Sequence, residues 1–255
     1  MNLFKSMLKA SIKSQLEYRF NFIVDSTISG IVIFSDFLML AIVLMNFKEI
    51  AGWNIYEVAV LYSIVEAGWG IFRLFGEGIN KFEELIISGK FDTLLTRPIS
   101  PIKQLFLQKF ELKRIGVFLQ AILVGSWGLS NLNITSIYMY PILIFFSIVI
   151  TFEINLILAA IAFWTIKNSD IIILAFYSTR TASSYPINIY GSILRSILTF
   201  FIPIATVGYY PVSYLLGKTK NSFALFSPVL GTLFLIPVTY FIWKMGLKKY
   251  TSTGS

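Results

Sequence analysis

The chain contains no cysteine and no histidine. Their absence removes disulfide bridges, thiol nucleophiles and most zinc or haem ligand schemes; no other reactive polar cluster stands out, so neither a catalytic residue nor a metal site is expected. Charge is scarce as well, with Asp, Glu, Lys and Arg at 13% against the ~25% usual for soluble domains. No G-x-x-x-x-G-K-[ST] run is present, which excludes a phosphate loop for ATP in this chain. The abundant residues are apolar: 56% of the chain is hydrophobic, including 24 Phe and 13 Tyr, and the mean hydropathy is +0.75.

These apolar residues are bunched into runs at residues 20–46, 55–75, 109–129, 138–164 and 222–243, with a weaker run after Asp170. Each clear run approaches the ~20 residues that a helix needs to cross ~30 Å of hydrocarbon. The runs are too long and too uniform for the alternating strands of a barrel. The expected fold is an all-α polytopic membrane protein with six transmembrane helices, residues 20–243. Residues 1–19 carry Lys5, Lys9 and Lys13 beside a stripe of Leu8, Ile12 and Leu16. That pattern predicts an N-terminal amphipathic helix lying on membrane lipid. A cleaved signal peptide is not expected, because no small-residue cleavage site follows a short apolar core.

Lys and Arg placement sets the orientation. With the N-terminus in the cytoplasm and six crossings, the inner face holds Lys5, Lys9, Lys13, Arg19, Arg73, Lys81, Lys90, Arg97, Lys103, Lys109, Lys113, Arg114, Lys167, Lys244, Lys248 and Lys249. The outer face holds Lys48, Arg195, Lys218 and Lys220, and Arg180 is ambiguous. Both termini, including the tail 244–255, are therefore expected in the cytoplasm, in a multi-pass cell membrane protein of a prokaryotic inner or plasma membrane. The same asymmetry accounts for the net charge of +8 without nucleic acid as a partner.

Residues 171–217 are the hard stretch. "STRTASS" at 178–184 interrupts the fifth run, and Pro186, Pro203 and Pro211 punctuate the residues beyond it. Two crossings there would leave Lys248 and Lys249 outside. The preferred reading is one crossing followed by a re-entrant segment, 185–217, which contains Arg195 and enters and leaves from the outer side. The alternative lays residues 171–190 on the inner surface and sends 196–216 across.

Ionisable residues within spans are functional candidates. Here these are Asp36, Glu66, Arg73 and Glu153; Asp25 also lies in the first run, at the expected inner interface. Asp25 and Asp36 share one face of their helix, as do Glu66 and Arg73. For Glu66 and Glu153, structural pairing is preferred to substrate contact. Glu83 and Glu84 are adjacent and point in different directions, which disfavours an acid–base pair. The Gly patterns near residues 68–78 fit close helix packing, and the Asn133 sequon is weak.

The remaining feature is a polar insert, 76–104, on the inner side. A short helix at 83–87 is expected to end at Ser88-Gly89, and Pro98 and Pro101 limit any long continuation. Phe91, Leu94 and Leu95 offer apolar anchors beside Lys90, Asp92 and Arg97. Such a knob suits docking to a cytosolic protein; a surface elbow on lipid headgroups is the alternative.

The passage Gly89-Lys90-Phe91-Asp92 followed by Leu94-Leu95-x-Arg97-Pro98 resembles permease subunits of type-two ABC exporters. "YPINIYGSILRSILTFFIPIATVGYYP" from Tyr185 and "LKKYTSTGS" from Leu247 resemble the same branch, the latter through Tyr250, Ser252 and Gly254. The resemblance spans nearly the whole chain. It implies an ATP-driven exporter in which two permeases, identical or homologous, sit on two cytosolic ABC ATPase subunits. ATP and Mg would be bound by those partners, so this chain itself needs no cofactor and is not an enzyme. It further implies that Glu83, Glu84, Lys90, Phe91, Asp92, Leu95, Arg97 and Pro98 form the ATPase-coupling element, with Asp92 and Arg97 fixing docking geometry and Phe91 and Leu95 filling an apolar recess. An ion-coupled secondary transporter would instead move solute without an ATPase. A membrane scaffold would bind partners and move nothing.

Overall fold

The computed structural model describes residues 12, 13, 17, 19–108, 110–134, 136–165 and 169–251. The proposed interfacial helix, 1–19, thus lies almost entirely outside the described residues, as do Ser252 and Gly254 of the tail. Among the described residues the secondary structure is helical apart from one isolated bridge between Ile50 and Trp53.

Helix α1 (Arg19–Phe47) leads through a short loop to α2 (Ile55–Phe75). Four short helices come next: α3 (Glu77–Asn80), α4 (Phe82–Ile87), α5 (Lys90–Leu95) and α6 (Pro101–Gln108). A 3-10 turn, Leu112–Arg114, opens α7 (Ile115–Ser130), and α8 (Met139–Ala160) closes in a second such turn, Ile161–Phe163. Then come α9 (Ser169–Ser183), α10 (Ser192–Ser196) running into a π turn at Ile197–Phe201, a 3-10 turn at Pro203–Thr206, α11 (Tyr209–Leu215) and α12 (Phe223–Lys249). Among the described residues five segments are long and apolar enough to cross a membrane: α1, α2, α7 and α8 with their 3-10 turns, and α12. The pair Ser192–Phe201 and Pro203–Leu215, bent by 74°, passes the same test only when taken together, as one broken span or a re-entrant loop.

Helix α2 is the axis of the bundle. The Asn54 side chain accepts from the Tyr56 and Glu57 amides, while Glu57 accepts from the Asn54 amide at 2.8 Å. This reciprocal cap satisfies donors that would otherwise be orphaned at the helix start. Every residue from Val58 to Gly70 is buried. Close approach to α7 depends on Gly70, where an added Cβ would lie 2.7 Å from the Phe118 amide nitrogen. By contrast, only 28% of the spanning window is buried in α1 and in α12. Their apolar outer faces belong to a chain whose solvent there is lipid.

The run after Asp170 departs from the expected interruption. Helix α9 runs straight through residues 178–183, because Ser183 and Ser184 return their hydroxyl hydrogens to the carbonyls of Thr179 and Arg180 at 2.6 and 3.0 Å. Hydroxyls bonded back to the preceding turn are compatible with a helix at a small cost to it, and Ser184 lies just past its end. At 15 residues, α9 is about 22 Å long, short of the hydrocarbon thickness. The chain then proceeds past buried Pro186 to Asn188, which donates to the Ala51 carbonyl in the α1–α2 loop at 3.0 Å. After the bent pair, Lys218 donates to Gly52 in the same loop at 2.6 Å and pairs with Glu57 at 2.9 Å. Both feet of residues 188–218 therefore stand at the end of the bundle opposite α3–α6. Arg195 closes the first foot on the carbonyls of Asn188 and Tyr190, each at 3.2 Å, while Pro203 and Pro211 are buried.

Candidate docking face and intramembrane ion cluster

The insert is built around a reversal. Helix α4 ends at Ser88, and Gly89 takes φ 65° and ψ 1° before α5 begins. That left-handed conformation is the one glycine adopts without a Cβ penalty. Beyond α5, the Gln104 side chain donates to the carbonyls of both Leu94 and Ile99 at 2.7 Å, clamping the Arg97-Pro98 turn from inside. Pro101 occupies the first position of α6, where its missing N–H costs nothing.

Beneath this frame lies an aromatic box. Phe91 is completely buried, with its ring 5.1 Å from Phe82, 5.7 Å from Phe163 and 5.1 Å from Tyr250. Trp243 of α12 completes the box, 5.1 Å from Phe82 and 5.2 Å from Phe163. Phe91 was expected to fill an apolar recess, and this packing gives it one within its own chain. Glu83 is likewise buried rather than presented outward. Asp92 is half-buried and accepts from the Tyr250 hydroxyl at 2.9 Å, so this bond too turns inward. The outward surface consists of Glu84, Lys90, Leu95, Arg97 and Pro98, joined by Ile87 and Lys103. Leu95 and Ile87 are 43% and 49% exposed, giving two apolar contacts within a predominantly basic rim.

The intramembrane acids meet a partner that the helix periodicity did not suggest. Arg180 of α9 donates from Nε to Glu66 Oε1 at 2.7 Å and from Nη2 to Asp36 Oδ2 at 2.9 Å. One guanidinium thereby ties α1, α2 and α9 together. Arg73 lies in the last turn of α2 and is half-buried; it is not the residue bonded to Glu66 Oε1. Glu153 sits on α8 beside Thr239 of α12, apart from this cluster. Asp25 approaches Lys113 at 4.0 Å, near the other end of α1.

Sequence reasoning missed Arg180, Gln104 and the internal role of Tyr250. The signal for Arg180 was partial: it is the one cation in the stretch 169–183, and Asp36 had no counter-charge on its own helix face. The signal for Gln104 was only that a polar amide falls between apolar neighbours, which is too common to act on.

A family model described as ABC-2 family transporter protein matches residues 31–254. No curated protein and no solved structure shows significant similarity to the chain. The match covers α1 from residue 31 onward, the insert, the ion cluster and the bent pair, so the chain belongs to the ABC-2 transporter family, the membrane-embedded permease components that associate with ABC ATPase partners.

Proposed function

We propose that the chain is the permease subunit of an ATP-driven exporter, and that the outward surface of α4–α6 is where a cytosolic ATPase seats. The observation that carries this reading is the division of labour within the insert. Its aromatic residues are consumed internally as a rigid platform, while Glu84, Lys90, Leu95, Arg97 and Pro98 remain outside. A rigid, charged-rimmed knob with a small apolar centre transmits a push; a loose loop would absorb it. The working complex contains two permeases, identical or homologous, and two ATPase subunits that bind ATP and Mg. The insert and both chain termini face the cytoplasm, and residues 185–217 re-enter from the outer side.

In this mechanism the chain performs no bond chemistry. Nucleotide-driven closure of the ATPases moves the two docking faces, and the bundles repack around them. Arg97 and Lys90 meet acidic groups on the ATPase, and Leu95 and Ile87 enter its apolar groove. Arg97→Glu reverses charge at an exposed position that packs nothing inside the chain. It should lower ATPase capture on copurification about tenfold, the scale of losing one charge-assisted contact and gaining a like-charge repulsion, with membrane insertion unchanged. Wild-type capture by this variant would contradict the assigned docking face.

A further inference from the structure

The insert is joined to the bundle through its covalent neighbours, by packing on α8 and its terminal turn, and by contacts with α12. Covalently, it continues from α2 through Gly76 and into α7 through residues 110–114. To α12 it is joined, among the described residues, by side-chain contacts made directly or through Phe163 of the α8 terminal turn, and these lie on one face of that helix. Trp243, Gly246 and Tyr250 are spaced at i, i+3 and i+7, which brings them into line. Trp243 abuts Phe82 and Phe163; at Gly246 an added Cβ would overlap the Phe163 ring; Tyr250 stands edge-on to Phe91 at an interplanar angle of 89°.

Tyr250 adds a directional bond to this otherwise slippery contact. Its backbone N–H is held by the Gly246 carbonyl at 2.9 Å, fixing the residue to the end of α12. Its hydroxyl donates to Asp92 Oδ1 at 2.9 Å, in the first turn of α5. Aromatic edges allow sliding at little cost, whereas a phenol–carboxylate hydrogen bond has a preferred length and direction. Two motifs whose bonded residues stand 158 apart in the sequence are thus joined by a directional bond as well as by ring contact.

We propose that Tyr250 is a positioning residue for the nucleotide-driven stroke: through Asp92 it keys the docking helix α5 to α12, so that movement received at the docking face reaches the last spanning helix and not only α2 and α7. The inference rests on the docking reading above. Without the key, α5 still docks, but α12 is reached only across aromatic contacts that can slide, and most of the displacement is spent in the other neighbours of the insert.

The cysteine-free sequence allows a direct test in the copurified permease–ATPase complex in lipid nanodiscs. Spin labels at Leu119→Cys on α7 and Met245→Cys on α12, both exposed positions, report the α7–α12 separation with and without trapping by ADP and vanadate. Tyr250→Phe keeps the ring and removes the hydroxyl. It should reduce the trapping-induced shift at least about threefold, with ATPase capture and melting temperature as in wild type. Asp92→Asn retains an accepting oxygen and should keep the shift, while Asp92→Ala should lose it, and adding Tyr250→Phe to Asp92→Ala should change nothing more. A full shift in Tyr250→Phe overturns the proposal, and so does loss of capture by that variant, which would make Tyr250 part of the docking surface. Arg97→Glu separates the two layers: undiminished capture there overturns the docking reading itself, whatever Tyr250→Phe does.

Discussion

The insert and the ion cluster are the two most polar regions of this chain, and they are organised in opposite senses. In the insert, aromatic residues point inward and charges point outward, as in any small water-facing domain. In the cluster, Glu66 is the buried member and the apolar residues around the bundle form the periphery. The lesson is that polarity marks the surface at one end of the molecule and the interior at the other. In water a charge is stabilised by solvent, so exposure is its default; in hydrocarbon only another protein group can do this, so an ionised side chain turns toward the bundle.

The comparison can be broken most forcefully at Arg180. Replacing it with Ala leaves Glu66, whose side chain is 1% exposed, as an uncompensated buried charge. The expected loss is ~3–5 kcal/mol, read as a lower melting temperature and reduced yield in detergent. Adding Glu66→Gln should restore most of that loss, since a neutral buried pair avoids the desolvation cost. Recovery of nothing would mean that the arginine stabilises the bundle by packing rather than by charge. In the insert, the sensitive residue is apolar. Phe91→Ala should cost ~3 kcal/mol by emptying the aromatic box, and should weaken ATPase capture only as a consequence of that lost stability. If Phe91→Ala melts like wild type yet fails to capture the ATPase, the ring is a docking residue after all and the inward–outward contrast fails at its chief example. The smallest effect on stability is expected at Arg97, whose reversal changes binding and leaves the fold intact.

Much of the architecture was legible because hydrophobic runs of span length leave few alternatives. The runs at 20–46, 55–75, 138–164 and 222–243 correspond to α1, α2, α8 with its terminal turn, and α12. The misleading signals were local chemistry with two meanings. "STRTASS" looked like a helix breaker, yet its serines bond back to the helix that contains them. Phe91 and Leu95 looked equivalent as apolar anchors, yet Phe91 is fully buried in the box while Leu95, at the end of α5, is 43% exposed. Glu66 and Arg73 share a helix face by periodicity, but the hydrogen bonds to Glu66 and Asp36 come from a helix 114 and 144 residues further along the chain. Long-range pairings of this kind leave no periodic trace in a single sequence.

The central claim is that the α4–α6 surface is the seat of an ATPase. The absence of native cysteine makes one measurement direct: a photo-crosslinker attached at Leu95→Cys, compared with the same probe at Gly191→Cys, an exposed position near the opposite foot of the bent pair. In membranes containing the co-expressed ATPase, the account predicts a permease–ATPase adduct from position 95 and none from position 191. No adduct from 95, or an equal one from 191, would contradict it.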